Sequence, residues 1–89
     1  MDQVDATSVE HDVREFLTLN FPLSGDAFAF GAADSLIGVG AIDSTGVLEL
    51  IEFIEERYEI QVPDSEVLPE NLDSIEAIAR YVTTKRAAG

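Results

Sequence analysis

Two aspartate–serine pairs, Asp34-Ser35 and Asp43-Ser44, have residue types that suit phosphate chemistry. A serine in the first turn of a helix can hold a phosphate ester, because the helix N-terminus presents N–H groups and the positive end of the helix dipole. Asp43-Ser44 lies where a glycine-rich segment meets a strongly amphipathic one. Aspartate and serine also cap helices routinely, so the pair taken alone favours a purely structural role.

Other chemistry finds little support in the sequence. His11 is the single histidine, lies on the polar side of a predicted helix, and has no nucleophile placed beside it. Walker, dinucleotide-binding, HExxH and EF-hand patterns are absent. Four glutamates could attract a divalent cation loosely, and we interpret them as solvated helix surface: Glu52, Glu55, Glu56 and Glu59.

Composition predicts one small domain over residues 1–89, with frayed ends at 1–6 and 84–89. The chain has no cysteine, and its 18 acidic and 5 basic residues give a net charge of −13. This charge opposes binding to nucleic acids and anionic membranes. It either directs the chain to basic protein partners or keeps a monomer soluble. An acidic N-terminus and the lack of a long apolar run predict a cytoplasmic protein without membrane insertion.

Helical spacing predicts two long helices, and Asp43-Ser44 lies at the start of the second. The first begins at Thr7, with Glu10 in a capping-box position, and ends near Asn20 before Pro22. Its apolar stripe consists of Val9, Val13, Phe16 and Leu17. The second begins at Asp43, and its apolar stripe consists of Val47, Leu50, Ile51, Ile54 and Tyr58.

The segment 22–43 between these helices is predicted to be a long loop that wraps the core. Its glycines interrupt any helical period, while several apolar side chains are expected to be buried: Phe28, Phe30, Leu36, Ile37, Val39 and Ile42. A short helical turn at 34–37 is possible, and a strand at 36–42 is disfavoured.

A short helical turn at 64–68 and a last helix complete the pattern. Asp73 is expected to cap the last helix, with Glu76 at its third position and Lys85 and Arg86 near its end. The predicted fold is therefore all-α: a small four-helix bundle with three main helices, one short helix and a long first loop.

The residues after Ser44 follow a specific order. Glu49-Leu50 comes first, then an acidic stretch, and then Val62-Pro63-Asp64, with Pro63 placed 19 residues after Ser44. This order and spacing resemble the acyl carrier protein family over roughly residues 7–82. The last predicted helix resembles that of the family as well, in Asn71-Leu72-Asp73-Ser74-Ile75, Ile78 and Tyr81-Val82.

The resemblance implies that a phosphopantetheinyl transferase attaches 4′-phosphopantetheine from coenzyme A to Ser44. The thiol of that arm would carry an acyl or aminoacyl group as a thioester, as in fatty acid or polyketide biosynthesis, so the chain would be a non-catalytic phosphoprotein. The implied partners are an acyl- or aminoacyl-loading ligase and an acyltransferase or synthase with a basic docking patch. By analogy, the docking residues would be Asp43, Thr45, Leu48, Glu49, Glu52, Glu55 and Glu56. Ser35 lacks the family spacing.

Several positions differ from the fatty-acid carriers. Thr45 stands where leucine is common, Gly46 where an acidic residue is common, and Glu52 where methionine is frequent. The loop before the motif is also one residue longer than usual. These differences favour a specialised carrier for secondary metabolism, lipid modification or amino-acid transfer.

Two alternatives remain open at the level of sequence. Within the same chemistry, the cargo is an amino acid rather than an acyl chain. In a different class, the chain is an acidic helical interaction module without a prosthetic group. Dependence on the Ser44 hydroxyl distinguishes the module from a carrier.

Overall fold

The computed structural model describes residues 5–20, 31–36, 38, 42 and 44–88, with the backbone alone for Ser44 and Ala88. Within these residues there are four α-helices and no strand, which confirms the predicted all-α class. The helices are α1 (Ala6–Asn20), α2 (Ser44–Tyr58), α3 (Pro69–Leu72) and α4 (Ile75–Ala88), with a 3-10 turn at Asp64–Glu66.

Apolar stripes of the three longer helices form the core. Val9, Val13 and Leu17 on α1 are completely buried. α1 packs along α4, and α2 contributes the rest of the shared interior. The buried hydrophobic residues of α2 and α4 are Leu50, Ile51, Ile54, Tyr58, Ile75, Ala77, Ile78, Ala79 and Val82. The helical period read from the sequence therefore identifies the inward faces correctly.

The N-terminal caps of α1 and α4 both differ from those predicted. The N–H of Ser8 donates to Asp5 Oδ1 at 2.8 Å, so Asp5, and not Thr7, caps α1. The N–H of Ala77 donates to Ser74 Oγ at 3.0 Å, so Ser74 caps α4 in place of Asp73. In each case the cap serves the third residue of its helix, as N-caps do.

The short helical segment is also more elaborate than predicted. A 3-10 turn occupies Asp64–Glu66, inside the predicted 64–68 turn, and α3 follows from Pro69. Pro69 suits the first position of α3 because its missing N–H has no intrahelical partner there.

The described parts of the long first loop are anchored by apolar residues. Leu36 and Ile42 are buried, as predicted. Asp34 donates its N–H to the Gly31 carbonyl at 3.1 Å, which closes a turn over residues 31–34. The possible helical turn at 34–37 includes Ile37, which lies outside the described residues. Four other predicted core residues lie outside the described residues: Phe28, Phe30, Ile37 and Val39.

The C-terminal half of α4 is bonded to the rest of the bundle. Arg86 Nη1 donates to the Tyr58 carbonyl at 2.8 Å, and Lys85 Nζ donates to Glu66 Oε1 at 3.1 Å. The Tyr81 hydroxyl also donates to Glu66 Oε1, and these two donors lower the pKa of the Glu66 carboxyl. α4 continues to Ala88, and the fraying expected for residues 84–89 stays a prediction.

Leu17 and Leu19 form a matched test of this core. Leu17 is completely buried, while Leu19 on the same helix is 75% exposed. We expect Leu17→Ala to lower the free energy of unfolding by about 2–5 kcal/mol, because it leaves a cavity. Leu19→Ala should change it by less than about 0.5 kcal/mol. Urea denaturation followed by circular dichroism measures both; equal losses would contradict the packing.

Candidate functional site

Ser44 is the first residue of α2, which runs for 15 residues. The start of α2 is placed by the loop before it. Ile42 is buried, and its N–H donates to the Leu36 carbonyl at 3.3 Å. Ser44 therefore lies two positions after a point where the chain is fixed to the core.

The loop is in turn bonded to the junction between α3 and α4. Leu36 donates its N–H to the Asp73 carbonyl at 2.7 Å, and the Ser35 hydroxyl donates to Asp73 Oδ2. Ser35 Oγ also accepts the N–H of Gly38 at 2.9 Å. Glu76 donates its N–H to the Ala32 carbonyl at 2.9 Å. In the pair Asp34-Ser35, the serine therefore has a structural role, because its hydroxyl fixes the loop.

An apolar pocket of about 160 Å³ opens beside the first turn of α2. Val47 lies one turn beyond Ser44 and forms part of the wall. The remaining wall comes from the segment around α3, namely Val67, Leu68, Pro69, Leu72 and Asp73. Leu68 is 40% exposed, so this wall is accessible from solvent. A pocket with these properties suits an apolar group attached near the start of α2.

An acidic face covers the exposed side of α2. We define it by Glu49, Glu52 and Glu56, which are all exposed. Leu48 is 63% exposed beside them, and Thr45 is exposed nearer the start of the helix. This arrangement places five of the predicted docking residues on accessible helix surface.

Of the other two predicted docking residues, the structure describes only Glu55. Glu55 is half-buried, and its Oε2 accepts the N–H of Val62 at 2.9 Å, which supports the turn after α2. Asp43 lies outside the described residues. Glu55 is therefore less available to a partner than the acidic face.

Sequence reasoning missed an aromatic pair next to the acidic face. Phe16 on α1 and Phe53 on α2 are half-buried and stacked, with ring centroids 4.5 Å apart. Both rings line an open groove of about 610 Å³ together with Glu49, Glu52, Glu56 and Arg57. Phe53 lies outside the predicted apolar stripe and close to glutamates in the sequence. An aromatic residue on the polar side of a helix was the one sign of this pair that the sequence offered.

A cluster of charged and aromatic side chains joins the far end of α2 to α1. The Tyr58 hydroxyl donates to Asp12 Oδ2 at 2.8 Å, and Arg57 Nη2 lies 3.3 Å from the same oxygen. Burial, followed by the hydrogen bond to Asp12, raises the pKa of Tyr58. Tyr58 lies 14 positions after Ser44 along α2, a rise of roughly 21 Å. This cluster fastens α2 to α1 and is too distant to activate the serine.

Metal and membrane chemistry find no support in the described residues. His11 is exposed on α1. No group of three histidine, cysteine or carboxylate side chains is placed to hold a metal ion in the part of the chain that the structure covers. Among the helices so described, none is long and apolar enough to cross a bilayer.

Comparison with known proteins identifies the family. No family model matches the chain. An acyl carrier protein of Campylobacter concisus is 35% identical over 75 residues, which are 84% of this chain and 92% of that protein. An acyl carrier protein of Campylobacter jejuni is 40% identical over 60 residues, covering 67% of this chain and 75% of the relative. The chain therefore belongs to the acyl carrier protein family, whose members are non-catalytic carriers.

Proposed function

We propose that this protein carries an acyl group as a thioester on 4′-phosphopantetheine attached to Ser44. The observation that carries the proposal is the position of Ser44 at the start of α2, one helical turn from the apolar pocket at Val47. Family membership supplies the class of prosthetic group.

The start of α2 suits a phosphodiester. A helix start offers N–H groups and the positive end of the helix dipole to a phosphate oxygen. In the attachment reaction the Ser44 oxygen forms a bond to the β-phosphorus of coenzyme A. The hydroxyl proton passes to the transferase, and the adenosine bisphosphate portion leaves with the electrons of the broken P–O bond. When bound, the prosthetic group supplies the thiol to which cargo is linked.

The pocket favours acyl cargo over aminoacyl cargo. Its walls are aliphatic except for Asp73, whose carboxylate already accepts the Ser35 hydroxyl. An amino acid would bring a charged ammonium group to walls on which, among the described residues, Asp73 is the one carboxylate and the remaining surface is aliphatic, and moving that charge out of water is unfavourable. An aminoacyl group is compatible with the carrier if it stays outside the pocket.

We further propose that the acidic face of α2 docks the partner enzymes. These are the phosphopantetheinyl transferase, a loading ligase, and an acyltransferase or synthase with a basic patch. Glu49, Glu52 and Glu56 present three carboxylates, and Leu48 and Thr45 add uncharged contacts beside them. Carboxylates on one face raise the rate of encounter with a basic patch. The net charge of −13 opposes self-association, which favours a monomer.

Glu52 and Thr45 support a specialised role in lipid modification or secondary metabolism. Glu52 is exposed in the middle of the acidic face and Thr45 at its start, so both substitutions alter what a partner meets. A partner built for the apolar side chains common at these places in fatty-acid carriers would bury unpaired polar groups here.

Replacement of each serine tests the attachment site. We expect Ser44→Ala to abolish incorporation of phosphopantetheine, because the hydroxyl oxygen that forms the ester is gone. Ser35→Ala should be modified normally, although loss of its hydrogen bonds to Asp73 and Gly38 should cost about 1–3 kcal/mol of stability. Intact mass spectrometry after incubation with coenzyme A and a broad-specificity transferase gives the readout. Modification of Ser44→Ala would refute the assignment, and unchanged partner function without modification would favour an interaction module.

Neutralising one carboxylate tests the docking surface. We expect Glu52→Gln to raise the KM of the transferase for this protein by about 1.5–5-fold, since an exposed ion pair contributes about 0.2–1 kcal/mol. The difference should shrink as ionic strength rises. Glu15→Gln, an exposed carboxylate on α1 with the same change in charge, is the matched control. Equal effects of the two substitutions would show that net charge alone matters.

A further inference from the structure

The groove between α1 and α2 combines an aromatic floor with an acidic rim. Phe16 and Phe53 are stacked at an interplanar angle of 22°. Both are half-buried, so they pack on the core and still contribute surface to the groove. The exposed part of these rings lies next to carboxylates, where another molecule can reach it.

The rim is arranged around the ring of Phe53. Glu49 lies four residues before Phe53 and Glu56 three residues after it, so both carboxylates share its side of the helix. Glu52 completes the rim. Arg57 also lines the groove, but its guanidinium lies 3.3 Å from Asp12 Oδ2 and is neutralised there. The groove is therefore negative around an aromatic surface.

The Phe53 ring in the floor of the groove is held in place by the buried side chain of Tyr58. The Phe53 ring meets the ring of Tyr58 edge to face, with centroids 6.4 Å apart. Tyr58 is buried and its hydroxyl is bonded to Asp12. A surface fixed in this way loses little conformational freedom when a ligand binds, which favours binding.

We propose that this groove receives an arginine side chain of a partner enzyme, with its guanidinium on the ring of Phe53 and hydrogen-bonded to the rim. This inference rests on the proposed function and adds a contact on the α1 side that discriminates arginine from lysine. A guanidinium is planar, stacks on aromatic faces and pairs with carboxylates through two parallel hydrogen bonds. An ammonium is more strongly hydrated and matches neither feature as well.

The negative charge of the groove disfavours nucleic acids, anionic membranes and a second copy of this chain as its ligand. Nucleic acids and anionic membranes are repelled by the rim. A second copy of this chain would bring another −13 of charge to the contact. A basic protein segment is the complementary partner.

Phe53→Leu separates the ring from the rim, because leucine keeps an apolar side chain and removes the aromatic face. The probes are two peptides of equal charge, acetyl-Leu-Arg-Arg-Leu-amide and its lysine counterpart, titrated into the full chain and followed by NMR. We expect the arginine peptide to bind more tightly to the wild type and to lose about 2–5-fold in affinity with Phe53→Leu. The lysine peptide should lose less. Leu19→Ala, an exposed apolar residue of α1 outside the groove, should leave both affinities unchanged.

A second readout needs no variant. Stacking on Phe53 should shift the arginine side-chain protons of the peptide upfield, since they lie over an aromatic ring. Equal binding of the two peptides, no upfield shift, or an unchanged arginine affinity in Phe53→Leu would overturn the proposal. Modification of Ser44 is measured on the same samples: normal modification combined with failed discrimination refutes this inference alone, whereas an unmodified wild type refutes the proposed function.

Discussion

Asp73 joins parts of the chain that are far apart in sequence. Its carbonyl accepts the N–H of Leu36, its carboxylate accepts the hydroxyl of Ser35, and it ends α3 immediately before Ser74 caps α4. The long first loop is thereby fixed to the α3–α4 junction, and Ile42 is bonded back to Leu36. The start of α2 and the wall of the apolar pocket depend on the same residue, so serine and pocket are positioned together.

The acidic face of α2 opposes the stability of its own helix. Glu52 and Glu56 are four residues apart, and like charges at that spacing destabilise a helix by about 0.2–0.5 kcal/mol per pair. The inward face compensates, because Leu50 and Ile54 are completely buried. Hydrogen bonds to neighbouring helices stabilise α2 further. Tyr58 and Arg57 both bond to Asp12 on α1, and Arg86 on α4 bonds to the Tyr58 carbonyl. The buried face therefore stabilises α2 enough for its exposed face to carry several carboxylates, and the proposed docking role explains why they are there.

The sequence predicts the parts of the fold that depend on local spacing. Periodicity identified the buried faces of the long helices, and proline marked the end of α1 at Asn20. The caps were misplaced by one or two residues, since Asp5 and Thr7, or Asp73 and Ser74, are chemically similar and geometry decides between them. The resemblance singled out Ser44 and the acidic face, and α2 does begin at Ser44.

Features that depend on distant residues were beyond sequence reasoning. The apolar pocket needs Val47 to meet Leu68 and Leu72, and no spacing rule connects these positions. The stacking of Phe16 on Phe53 likewise requires the relative placement of α1 and α2. Ser35 resembled a second candidate in sequence, and its bond to Asp73 gives it a structural role.

We propose that the wild-type chain carries one prosthetic group at Ser44. Intact mass before and after incubation with coenzyme A and a broad-specificity phosphopantetheinyl transferase, followed by peptide mapping, tests it most directly. We expect a gain of one phosphopantetheine per chain, located on the peptide that contains Ser44. An unchanged mass, with the chain shown to be folded and the transferase shown to be active on a control carrier, would contradict it.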